Sequence, residues 1–84
     1  MLSRAGARWH RLPGMALKKR SFTLSGHRTS VALEPEFWAV LEEIARIGAG
    51  SLAGFVAQID RERGEQPLAS ALRLAALAAA RARA

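Results

Sequence analysis

The sequence predicts a mainly α fold with one short N-terminal β-strand, paired antiparallel across a twofold dimer, and three helices after it. Three observations lead there. Residues 28 to 33 alternate in character with period two, three later stretches carry apolar residues at helical spacing, and glycine or proline separates these stretches.

In the strand, Thr29, Val31 and Leu33 lie on one face and Arg28, Ser30 and Ala32 on the other. An earlier run, Ser21 to Leu24, alternates in the opposite parity, with Phe22 and Leu24 apolar. Ser25-Gly26-His27 must therefore hold a turn, a bulge or a bend. A lone strand leaves its backbone donors and acceptors unpaired. Twofold pairing of two copies is the simplest remedy, and a hairpin with residues 18 to 24 would also satisfy it.

Helix signals begin at Glu34-Pro35-Glu36, where proline suits the first turn and the carboxylates face the positive end of the helix dipole. Phe37, Val40, Leu41, Ile44 and Ile47 follow at helical spacing, flanked by Trp38 and Ala45, and Arg46 with Gly48 closes the helix. Gly48-Ala49-Gly50 forms a tight connector, and Ser51 is placed to cap a second helix with Leu52, Phe55, Val56 and Ile59 on its apolar face. Gly64 stops that helix. Pro67 opens a third, alanine-rich one carrying Leu68, Leu72, Leu74 and Leu77 and fraying from Arg81 to Ala84.

With 84 residues, half of them hydrophobic but many of those C-terminal alanines, the chain has room for one small domain and few true core formers. A partner copy is expected to complete the core. The expected organisation is a flexible basic arm or an over-long start at 1–17 (a second methionine stands at Met15), a domain at 18–80, and a frayed tail at 81–84.

Charge is unevenly spread. The net charge is +6, and residues 1 to 30 hold Arg4, Arg8, Arg11, Lys18, Lys19, Arg20 and Arg28 with no acid, whereas all seven acids fall between residues 31 and 65. Such asymmetry suits a polyanion, either nucleic acid or an anionic membrane surface. The third helix lacks the lysine-rich polar face with bulky apolar residues opposite that a membrane-surface helix needs. No apolar run approaches the ~18 to 20 residues of a spanning helix, and no signal-peptide core follows the first arginines, so no membrane partner and a cytoplasmic location are expected.

Enzyme chemistry finds no foothold. Cysteine is absent, so thiolate metal sites and cysteine catalysis are excluded, and the two histidines, His10 and His27, are far apart in sequence with no ligands at useful spacing. Glu42 and Glu43 diverge by about 100° on a helix and cannot flank one substrate. Neither metal nor cofactor is expected. Phe37 and Trp38 fit core packing better than base stacking. Lys18, Lys19 and Arg20, next to the strand, lie within about a Debye length of any phosphate bound there.

The segment "KRSFTLSGHRTSVALEPEFWAVLEEIA", together with "SALRL" in the third helix, resembles a bacterial branch of the ribbon-helix-helix (Arc/MetJ-like) DNA-binding proteins. The resemblance covers roughly residues 18 to 78. It implies a homodimer whose strands form a ribbon in the major groove of double-stranded DNA, and so a transcriptional regulator. By that analogy Arg28, Ser30 and Ala32 face the bases. Arg28 can donate two parallel bonds to guanine, Ser30 can donate or accept, and Ala32 offers only a methyl group, a departure from three polar readers.

The resemblance also implies a phosphate held by backbone amides around Gly50, Ser51 and Leu52; Lys18, Lys19 and Arg20 by their charge, and His27 as a turn residue or a phosphate contact, are the further phosphate candidates. Ser51 can equally serve only its own helix as a cap. The implied dimer core comprises Val31, Leu33, Phe37, Trp38, Leu41, Ile44, Leu52, Phe55, Val56 and Ile59. An antitoxin-like interaction module on the same fold, holding a protein partner through the C-terminal helix, is the alternative.

Overall fold

The computed structural model describes residues 16–48 and 50–83. Its elements are β1 (Lys18–Leu24), β2 (His27–Leu33), α1 (Pro35–Ile47), α2 (Leu52–Glu62) and α3 (Leu68–Arg83). The arm at residues 1–15, Ala49 and Ala84 lie outside the described residues, and with them fall Arg4, Arg8, His10, Arg11 and the start at Met15.

The strand and three helices stand in the expected order, but the strand has a partner within the chain. β1 pairs antiparallel with β2, from Lys18 opposite Leu33 to Leu24 opposite His27. The connection is the two-residue loop Ser25-Gly26, with φ of 51° and 81°. Two successive positive φ values make a type I′ turn, whose twist matches that of the strands it joins. Glycine takes such a φ freely, while Ser25 accepts a less favourable conformation. Within the chain, the hairpin supplies one edge of β2 with its backbone partners.

The register sends Phe22, Leu24, Val31 and Leu33 to one face, where all four are buried. Trp38, Leu41 and Ala45 of α1 pack there with Val56 of α2 and Ala71, Leu72 and Ala76 of α3. Five residues assigned to a shared dimer core, Val31, Leu33, Trp38, Leu41 and Val56, are thus buried by one chain alone. The other five, Phe37, Ile44, Leu52, Phe55 and Ile59, are partly buried at the margin of the same cluster. The reason is α3, which packs on α1, α2 and β2 and closes a core that the first two helices leave open.

α3 turns a different face inward than its leucines suggested. Ala71, Leu72 and Ala76 form its buried stripe, whereas Leu74 and Leu77 are about half exposed, and Ile47 at the end of α1 is 78% exposed. The helix also continues to Arg83, past the point where fraying was expected, and the Arg83 guanidinium donates to Glu43 of α1.

Local capping follows the residues. Ser51 Oγ accepts from the Gly54 amide at 3.0 Å, and Glu34, with Pro35 after it, precedes α1 in extended conformation. Gly50, at φ 86°, returns its amide to the Ala45 carbonyl and closes α1. Arg63 braces the α2–α3 connection through Asp60 and the Gln66 carbonyl, both at 2.7 Å.

Leu33 has no exposed surface and Leu77 is 48% exposed. Leu33→Ala is therefore expected to destabilise the protein by about 2–5 kcal/mol in denaturant unfolding, whereas Leu77→Ala should change stability by no more than about 0.5 kcal/mol. Equal effects would contradict this packing.

Candidate nucleic-acid interface

Because Leu24 pairs with His27, even positions of β1 share a face with odd positions of β2. The opposite face collects Lys19, Ser21 and Thr23 from β1 with Arg28, Ser30 and Ala32 from β2. Five of the six are exposed and Ala32 is half-buried. They form three cross-strand couples. Lys19 stands opposite Ala32, Ser21 Oγ lies 3.0 Å from Ser30 Oγ, and Arg28 Nη1 donates to Thr23 Oγ1 at 3.3 Å. The face holds two cations, three hydroxyls and no carboxylate.

Four of the seven acids are engaged elsewhere. Four ion pairs are found among the described residues: Arg20–Glu42 (2.6 Å), Arg63–Asp60 (2.7 Å), Arg73–Glu34 (3.0 Å) and Arg83–Glu43 (2.5 Å). Lys18, Lys19 and Arg28 take part in none of them. On the hairpin, Arg20 is thus paired while Lys18, Lys19 and Arg28 are in no ion pair among the described residues.

The structure separates the three basic residues that adjoin in sequence. Lys19 is on the outward face. Lys18 is exposed at the hairpin's open end, and its carbonyl accepts the Trp38 indole N–H at 2.8 Å. Arg20 has the inward parity; its guanidinium lies 5.1 Å from the Trp38 ring centre and is tied to Glu42. His27 is exposed beside the turn, on the parity of the core face. Gly50, Ser51 and Leu52 form the start of α2, a separate element, where Ser51 Oγ is occupied as a cap.

Ser21 and Thr23 were not singled out in the sequence, and Lys19 was read only as a phosphate contact, yet the signal for a shared face was there. Runs of opposite parity on either side of a two-residue loop are what a hairpin with one buried face requires.

The family described as ribbon-helix-helix domain matches residues 17–80. The chain belongs to that family. The match begins one residue before β1 and ends within α3, so both strands, α1, α2 and most of α3 of this ribbon-helix-helix protein lie within it. No curated protein and no solved structure matches the chain. The ribbon-helix-helix fold is a DNA-binding, regulator-type fold without enzymatic activity. Among the described residues there is no group of potential metal ligands, and no helix is long and apolar enough to cross a membrane.

Two carboxyls that anchor α3 titrate low. Glu34 is held below its ordinary value of 4.5 by its own backbone amide and then by the Arg73 guanidinium. Glu43 is held below the same value by the hydrogen bond and charge of Arg83, whose own pKa is raised in return. A carboxyl with a lowered pKa in the folded chain adds stability that is complete above its unfolded value and disappears as pH falls through the folded one. Denaturant midpoints should therefore be lower below pH 4.5 than above it, and the drop should be smaller in a Glu34→Gln/Glu43→Gln variant. A midpoint that rises on acidification would contradict the assignment.

Proposed function

We propose that the protein binds double-stranded DNA in a sequence-dependent way as a homodimer, inserting its β-ribbon into the major groove, and serves as a cytoplasmic regulator of bacterial transcription. The observation that carries this reading is the outward hairpin face, with Lys19 and Arg28 outside every ion pair among the described residues and flanked only by hydroxyls and a methyl group. A groove carrying a dense negative charge and a distinct pattern of base-edge donors and acceptors is complementary to such a face.

Within this reading Arg28, Ser30 and Ala32 meet base edges. Lys18, Lys19, Arg20 and His27 serve phosphates around the hairpin, Arg20 on release from Glu42. The amides of Gly50, Ser51 and Leu52 offer a further phosphate grip at the positive end of α2. The homodimer draws support from the partly buried Phe37, Ile44, Leu52, Phe55 and Ile59 at the edge of the core. The half-exposed Leu74 and Leu77 on α3 favour a second, compatible reading, a protein partner held by the C-terminal helix. A co-purifying protein that survives high salt would support it.

Arg28→Ala separates reading from positioning. The variant should lose about 1–3 kcal/mol of affinity on a preferred duplex and relax discrimination at one base position per half-site, measured by titrating matched and mismatched duplexes at fixed salt. An equal loss on every duplex would make Arg28 a phosphate contact and remove the base-reading role.

A further inference from the structure

We infer that α3 is a self-association surface, along which two copies of this chain pair antiparallel through Leu74 and Leu77. The inference rests on the second reading above, a partner held by the C-terminal helix, and makes that partner another copy of the chain.

The exposed stripe of α3 is the first support. Leu74, Leu77, Ala78 and Arg81 recur at helical spacing and all four are exposed, Leu74 at 53% and Leu77 at 48%. A water-facing stripe is ordinarily polar, yet along this one the first polar side chain is Arg81. The buried stripe, Ala71, Leu72 and Ala76, is already committed to the core that α3 closes with α1, α2 and β2. α3 is thus apolar on two sides, and its own chain covers one of them. Beside the exposed stripe runs a groove of about 280 Å³, with Ile59 and Glu62 of α2 on one wall and Ala71, Leu74 and Ala75 of α3 on the other. The small side chains of Ala75 and Ala78 let a second helix approach closely.

Charge decides the occupant and its direction. Glu62 and Glu65 stand before the start of α3 and Arg81 near its end, and none of the three is in an ion pair among the described residues. An acidic partner helix would suit Arg81 and be repelled by the two glutamates; a basic one would meet the reverse. A second copy laid parallel would set Arg81 against Arg81. Laid antiparallel with Leu74 opposite Leu77, it brings Arg81 level with the second copy's Ser70, one turn from Leu74 and next to the groove that holds Glu62. Twofold symmetry makes the same pairing twice, and the two helix dipoles run in opposite directions. The contact also leaves the DNA-binding reading intact, because α3 packs on the buried side of β2 and not on the hairpin's outward face.

Two leucines per copy make a small interface, so the association is weak and follows concentration. The test is sedimentation equilibrium of the full-length protein up to millimolar concentration, without DNA, with circular dichroism melts to confirm folding. The wild type should show a reversible doubling of its assembled species. Leu74→Ser/Leu77→Ser should weaken that step by roughly tenfold or more, with the smaller species and its melt unchanged. Arg81→Glu and Glu62→Arg should each weaken it by about 2- to 5-fold, and both changes in one chain should restore it, which a contact of apolar area alone would not produce. A wild type that never doubles, or a doubling that the leucine variant leaves intact, would overturn the inference. A chain that stays undoubled while holding a different protein through Leu74 and Leu77 would overturn it and leave the second reading standing. Charge variants that weaken the doubling without rescue in the combined variant would overturn the antiparallel alignment. No DNA is present, so none of these outcomes depends on the DNA-binding reading.

Discussion

The two-residue turn at Ser25-Gly26 is the constraint on which the rest depends. Its paired positive φ values bring Leu24 opposite His27, and that single pairing decides the face of every later residue in the hairpin. A loop one residue longer would reverse one strand and set Lys19, Ser21 and Thr23 against the helices in place of Phe22 and Leu24. The core enforces the same register. Phe22 meets Trp38 at 6.0 Å between ring centres, and the Trp38 indole N–H finds the Lys18 carbonyl, so α1 is pinned to the open end of the hairpin.

Charge is sorted by the same geometry. The acids cluster on and around the helices, and four of them take an arginine each: Glu34, Glu42, Glu43 and Asp60. Two of these pairs, Arg73–Glu34 and Arg83–Glu43, fasten α3 to the start and the flank of α1. Exposed pairs of this kind add little stability and are screened by salt. Their larger consequence is electrostatic. With no carboxylate on the hairpin's outward face, Lys19 and Arg28 are left to define the field over it.

Much of this was legible in the sequence, and the exceptions have identifiable causes. The alternation at Arg28–Leu33 marked β2 and its two faces correctly, and Pro35, Ser51 and Pro67 marked the starts of the helices within a residue or two. β1 was harder to see because Lys18, Lys19, Arg20 and Ser21 look like a basic tail, with only Phe22 and Leu24 showing an apolar face. Arg20 reads as one more phosphate-seeking cation. Its place over Trp38 depends on an inward parity that only the register reveals. In α3, leucines draw the eye, yet alanines carry much of the contact, since small side chains let helices approach closely and leave Leu74 and Leu77 outside. The excess of apolar surface that called for a shared core was accordingly smaller than the helical stripes of α1 and α2 suggested.

The account stands most directly on β1 and β2 pairing within one chain. The decisive measurement is an isotope-filtered nuclear Overhauser experiment on a mixture of labelled and unlabelled protein, following contacts between Ser21 and Ser30 and between Phe22 and Thr29. These pairs face each other across the hairpin. The account predicts that the contacts arise within a labelled chain and are absent between labelled and unlabelled chains. Contacts seen only between chains would contradict it and assign the ribbon to an exchanged dimer.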